Sequence, residues 1–89
     1  MIIAKVVGTV VSTRKDPSLT GSKFMIVEAL DGMAGGRFVA VDLIGAGAGE
    51  LVLVARGGAA RVKAPSAPVD AVIVGIIDDP GKIKLETGN

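Results

Sequence analysis

The stretch Gly45-Ala46-Gly47-Ala48-Gly49-Glu50, set in VAVDLIGAGAGELVLVARGGAAR (Val39 to Arg61), has the look of chemistry: a glycine cluster after a β-branched run, as in loops that cradle phosphate. The spacing argues otherwise. A dinucleotide loop needs Gly-x-Gly-x-x-Gly at the start of a helix, so that the helix N-terminus meets the pyrophosphate. Here the pattern is Gly-x-Gly-x-Gly, and Glu50-Leu51-Val52-Leu53-Val54 reads as a strand. No Gly-Lys-Ser or Gly-Lys-Thr closes the segment, and the next charged residue is an acid that would repel phosphate. The plain reading is a tight turn with positive φ at glycine; a sharper one is a place where the backbones of several subunits approach closely and leave an opening.

Other catalytic equipment is sparse. The chain has no His, Cys, Trp or Tyr, which removes the usual general base, thiol nucleophile and phenol. A metal site would have to be built from carboxylates, and no EF-hand spacing occurs. The remaining acids in apolar surroundings are Asp42 in VAVDLI, Asp70 in PVDAVIV and Asp78-Asp79 closing GIIDDP. An acid inside a strand is normally satisfied by a turn amide or by a neighbouring arginine such as Arg61. No catalytic residue, cofactor site or metal site is therefore expected.

The elements that position these residues are legible as five Val- and Ile-rich runs: Ile2 to Thr13, Lys23 to Leu30, Arg37 to Ile44, Glu50 to Arg56 and Val69 to Asp78. Asp16-Pro17 with Gly21, Asp31-Gly32 with Gly35-Gly36, and residues 45–49 punctuate them as hairpin-type joints. The spacing predicts an antiparallel barrel or sandwich. The longer link from Gly57 to Pro68 has room for one helical turn at Ala59-Ala60-Arg61-Val62 before Pro65 and Pro68 stop it. After Pro80-Gly81, Lys82 to Glu86 alternates as a short tail strand.

With 89 residues the chain makes one domain, expected over 1–89, and the near absence of aromatics leaves its core to Val, Ile, Leu, Ala and Met. No cysteine is available to staple so small a core, so association with other copies is the favoured remedy. Ten basic against nine acidic residues, interspersed, give no electrostatic footprint for nucleic acid or an anionic membrane. The N-terminal run is interrupted by Lys5, Gly8 and Thr9 and reads as mature structure, and no stretch approaches the roughly 18 apolar residues of a membrane span. A soluble, cytoplasmic protein is expected.

Strand faces carry the strongest signal. In the first run Ile2, Ala4, Val6, Gly8 and Val10 alternate with Ile3, Lys5, Val7, Thr9 and Val11, so both sides are substantially apolar. The last run repeats this, with Ala71, Ile73 and Ile77 against Val72, Val74 and Ile76. A small antiparallel sheet should have one wet face. A second chain is the expected cover. Five strands also raise an OB-type barrel, a module that binds single-stranded nucleic acid by stacking bases on aromatics in a basic groove, but the chain has only two Phe and no positive field.

Three ordered segments, GTVVSTRKDPSLTGSKFMIVE (Gly8 to Glu28), VAVDLIGAGAGELVLVARGGAAR (Val39 to Arg61) and PVDAVIVGIID (Pro68 to Asp78), closely resemble the EutN/CcmL family of bacterial microcompartment vertex proteins. The resemblance spans nearly the whole chain and stops at the tail after Asp79. It implies an all-β, five-stranded OB-like barrel that assembles as a cyclic homopentamer and caps the vertices of a polyhedral shell in the cytoplasm, alongside hexameric shell proteins. The role implied is structural, with no nucleic acid or membrane partner. By the same resemblance Gly45, Ala46, Gly47, Ala48 and Gly49 fall near a central five-fold opening, with Glu50 starting the next strand. Lys15, Leu19, Gly21 and Lys23 match the early motif and are assigned to subunit or tile contacts. Ile3, Val7, Val11, Glu50 and Arg61 complete the expected interface set. The alternative is an OB-type module for single-stranded nucleic acid.

Overall fold

The computed structural model describes residues 1–11, 17–19, 21–58, 60 and 69–86, with Leu19 by its backbone alone. Five strands form as the β-branched runs dictate: β1 (Ile2–Val10), β2 (Lys23–Ala29), β3 (Arg37–Asp42), β4 (Leu51–Arg56) and β5 (Ala71–Ile77). They close into a barrel in the order β1-β2-β3-β5-β4, the five-stranded Greek-key arrangement of OB folds. Two of the expected hairpin joints are real, since β1 pairs with β2 and β2 with β3, both antiparallel. The third is not. Residues 43–50 lead from β3 to β4, which are not neighbours; β5 sits between them, antiparallel to β4 and parallel to β3. The barrel is thus not wholly antiparallel, because a strand inserted after the crossover must run alongside one of its two neighbours.

The lumen of so narrow a barrel admits only modest side chains, and the sequence supplies them. Ala4, Val6, Met25, Val27, Ala40, Val52, Val54, Ala71 and Ile73 are all buried there, with Ile2 and Phe38 packed against the ends. Removing the large ones leaves holes the narrow barrel cannot close: Ile73→Ala is expected to lie in the range of about 2–5 kcal/mol.

Strict alternation fails at two points. The β1 ladder passes from Val6↔Val27 to Gly8↔Ile26, so Val7 is an extra residue and the face reverses after it. Ile2, Ala4 and Val6 point inward as expected, but Gly8 and Val10 join the outer face. The β5 ladder does the same at Val74, between Val54↔Ile73 and Leu53↔Gly75. A run that is apolar on both sides carries no mark of such a slip.

A second apolar cluster lies outside the barrel, where Ala60 and Val69 cover Val41 and Val72, with Phe24 and Val74 at its edge. Part of the surface that called for a second chain is therefore covered by this chain's own link between β4 and β5. Of the expected helical turn, Ala60 is helical, as is Gly58 before it, while Ala59, Arg61 and Val62 lie outside the described residues. The tail strand is absent: Pro80–Lys82 forms a 3-10 turn, capped by Asp79, whose Oδ1 accepts the Gly81 N–H at 2.8 Å, and residues 83–86 follow without strand pairing. Alternation of Ile83 and Leu85 was not sufficient, because a strand needs an edge to pair with and proline with a capping acid favours the turn.

Candidate functional site

The glycine segment is built from its two flanking acids. β3 ends at Asp42, only 6% exposed, whose carboxylate folds back over the chain that follows. Its Oδ1 accepts the N–H groups of Ile44 and Gly45, both at 3.0 Å, and its Oδ2 accepts that of Ala46 at 2.8 Å. Lys23 Nζ stands 3.8 Å from the same Oδ2, its side chain largely in solvent. Ala46 is drawn into the lumen. At the other end Glu50 Oε1 accepts the Gly47 N–H, and the Glu50 N–H donates to the Gly47 carbonyl at 3.1 Å. Val6 fastens the segment to β1, donating to the Glu50 carbonyl at 2.9 Å and accepting from the Gly49 N–H at 2.8 Å.

This geometry disposes of phosphate binding in physical terms. A phosphate loop presents its N–H groups to the ligand. Here those of residues 44–47 are turned onto the chain's own carboxylates. Positive φ occurs at Gly45 (87°) and Gly49 (85°) but not at Gly47, where a Cβ would lie 3.2 Å from Glu50 Oε1. Gly47 is small so that the Glu50 carboxylate can approach it. Ala48 and Gly49 form the exposed apex, while Gly45 is exposed and Gly47 half-buried.

The other acids are occupied in ordinary ways or solvated. Asp78 pairs with Lys82 at 3.2 Å, Asp79 caps the 3-10 turn, and Asp70 is exposed. Asp42 is satisfied by turn amides as the sequence suggested, while its other suggested partner, Arg61, lies outside the described residues. No group of three potential metal ligands occurs among the described residues.

The expected interface residues are scattered. Val7 and Val11 are exposed, Val11 at 89%; Ile3 and Glu50 are half-buried; Lys23 is exposed. Leu19 ends a 3-10 turn, Pro17–Leu19, and Lys15 lies outside the described residues. What the sequence did not show is how registers gather outer residues into rows. Lys5, Glu28 and Arg37 stand opposite one another across β1, β2 and β3, with Arg37 Nε 3.4 Å from Glu28 Oε1. The next outer row is Gly8, Ile26 and Val39. Only knowledge of the bulge at Val7 assembles that second row.

This β2–β3 surface is where OB domains hold oligonucleotides. Here it carries a charge-paired row and an aliphatic row, with no exposed aromatic. Phe24 packs against the outer cluster, and Phe38 packs on the lumen under the Arg56 guanidinium, 4.2 Å from the ring centroid, which in turn lies beneath Gly35. Neither ring offers a stacking platform for bases, and the nucleic-acid alternative finds no support.

Comparison with known proteins agrees with the barrel. The family model described as "Ethanolamine utilisation protein EutN/carboxysome" matches residues 1–78. The chain belongs to the EutN/CcmL family. Among EutN/CcmL relatives, the carboxysome shell vertex protein CcmL of Synechocystis sp. is 54% identical over 88% of this chain and 83% of its own. The bacterial microcompartment shell vertex protein PduN of Salmonella typhimurium is 45% identical over 88% of this chain and 96% of its own. Among solved EutN/CcmL structures, the GrpN pentameric microcompartment shell protein from Rhodospirillum rubrum superposes with a TM-score of 0.79 at 44% identity, covering 89% of this chain and 95% of that one. The match to the family model ends at Asp78, so the Pro80–Lys82 turn and the tail lie beyond it.

Proposed function

We propose that this chain is a structural vertex protein of a bacterial microcompartment shell in the cytoplasm, acting as a ring of five copies and not as an enzyme. The observation that carries the reading is family membership along the whole barrel, with relatives named as shell vertex proteins and one solved as a pentamer. The physical chemistry supports it. The amides of residues 44–47 are spent internally, no catalytic constellation is assembled among the described residues, and large aliphatic residues such as Val7 and Val39 stand exposed on strand faces.

A flat layer of hexameric tiles cannot close, and five-fold units supply the missing curvature. Hexameric shell proteins are therefore the partners we assign to the ring's rim. Lys15, Leu19, Gly21 and Lys23 remain the residues proposed for contacts there, supported by the exposure of Gly21 and Lys23. Residues 45–49 are proposed to face the five-fold opening, because their apex, Ala48 and Gly49, carries no bulky side chain and is held rigidly from both ends.

Native mass spectrometry of the purified chain tests the ring. Copies of 8.9 kDa should appear chiefly as a five-copy species, and Val7→Glu, at a position 38% exposed, should shift it toward smaller ones. A chain that stays monomeric at high concentration would overturn the reading.

A further inference from the structure

A closed ring requires each copy to offer two different surfaces, one meeting the other on the next copy, whereas a single self-matching surface gives a closed pair. The fold provides two such surfaces, centred on different strands. The first is centred on β2: the outer row Gly8, Ile26 and Val39, with Val7 beside it and the charged row Lys5, Glu28 and Arg37 as its flank. Val39 is 48% exposed, and Gly8 keeps the row low because a Cβ there would rest 3.4 Å from Ile26 Cδ1. The second is centred on β4, which the barrel order separates from β2 by β1 on one side and by β3 and β5 on the other. There Ile3, Leu53, Ile76 and Ile77 line an open groove on the strand side, and Ile83 and Leu85 line it on the tail side together with Asp78, Lys82 and Lys84, with Leu85 87% exposed. A low aliphatic ridge flanked by the charges of Lys5, Glu28 and Arg37, and an open groove of aliphatic side chains edged by Asp78, Lys82 and Lys84, offer each other apolar surface to bury inside a charged rim.

Resting on the ring reading above, we infer that the β1–β2–β3 ridge of one copy seats in the groove between β4 and the tail of the next. The surface on which OB barrels carry nucleic acid is here given over to a second copy of the same chain, and the tail beyond Asp78 is a clamp on the neighbour.

The test uses the absence of native cysteine. Val39→Cys and Leu85→Cys are combined in one chain and treated with a short bismaleimide. A denaturing gel should show a ladder up to five copies, while each single variant stays at one. Alongside it Val39→Glu should raise the concentration needed for the five-copy species about tenfold or more, with the circular dichroism spectrum unchanged. Dimers from a single variant, or a ladder only when Val39→Cys is paired with Leu43→Cys, would overturn the proposed pairing. A five-copy species with no ladder and no response to Val39→Glu would overturn it while the ring stands. A chain that is monomeric before any substitution would remove both.

Discussion

Two glycine-rich connections in this barrel are held by different means. Residues 31–36 form the β2–β3 hairpin with positive φ at Gly32, Gly35 and Gly36; all six are exposed, and the turn is closed by backbone bonds such as Met33 N–H to the Leu30 carbonyl at 2.9 Å and Ala29 N–H to the Gly36 carbonyl at 2.8 Å. Residues 43–50 contain as much glycine, yet their path is dictated by Asp42 and Glu50, whose carboxylates collect four successive amides. Glycine makes both paths sterically possible. What makes one of them rigid is the acid at each end.

The sharpest way to break this contrast is Asp42→Ala. It strips three amides of their acceptor, one of them on buried Ala46, and the expected loss is about 3–5 kcal/mol. That should lower the thermal midpoint, followed by far-ultraviolet circular dichroism, by more than about 10 °C. A fall of only a degree or two would mean that the segment is held no more firmly than the hairpin.

Gly47→Arg comes next. Its Cβ must displace the Glu50 carboxylate, so a loss of about 1–2 kcal/mol is expected, together with a disturbed ring on native mass spectrometry. Gly81→Arg, whose Cβ meets only the exposed side chain of Asp79, should leave both measurements nearly unchanged. Equal tolerance at the two positions would take residues 45–49 away from any assembly role.

The smallest effect sharpens the comparison. Gly32 (φ 86°) and Gly45 (φ 87°) have matching backbones and open space around them, so alanine at either meets the same left-handed penalty of about 1 kcal/mol. Gly45→Ala should be the costlier of the two in chemical denaturation, because Asp42 holds that turn fixed while the exposed hairpin relaxes. The reverse order would place the rigidity in the hairpin.

Much of the fold was legible because its strands are written in Val and Ile between turn residues, and β2 to β5 begin within two residues of the expected positions. Asp42 was also legible in kind, as an acid satisfied by turn amides. Three things were not. The slips at Val7 and Val74 leave no trace in a run apolar on both sides, so the Gly8–Ile26–Val39 row stayed hidden. The insertion of β5 between β3 and β4 is a long-range choice that no local pattern records. The tail strand was read from alternation at Ile83 and Leu85, where Asp79 and Pro80 set a different course.

The position of β5 also sets an order of events. It is the last of the five described strands, yet it is the one that closes the barrel between β3 and β4, whose facing edges stay unpaired until it arrives. During synthesis the barrel stays an open sheet with two bare edges until residue 77 has left the ribosome, and such edges invite pairing with the wrong chain. The β4 groove includes Ile77 itself, so a copy acquires the surface we propose for its neighbour only at the moment its barrel closes. Completion of each subunit thereby acts as the licence for its recruitment.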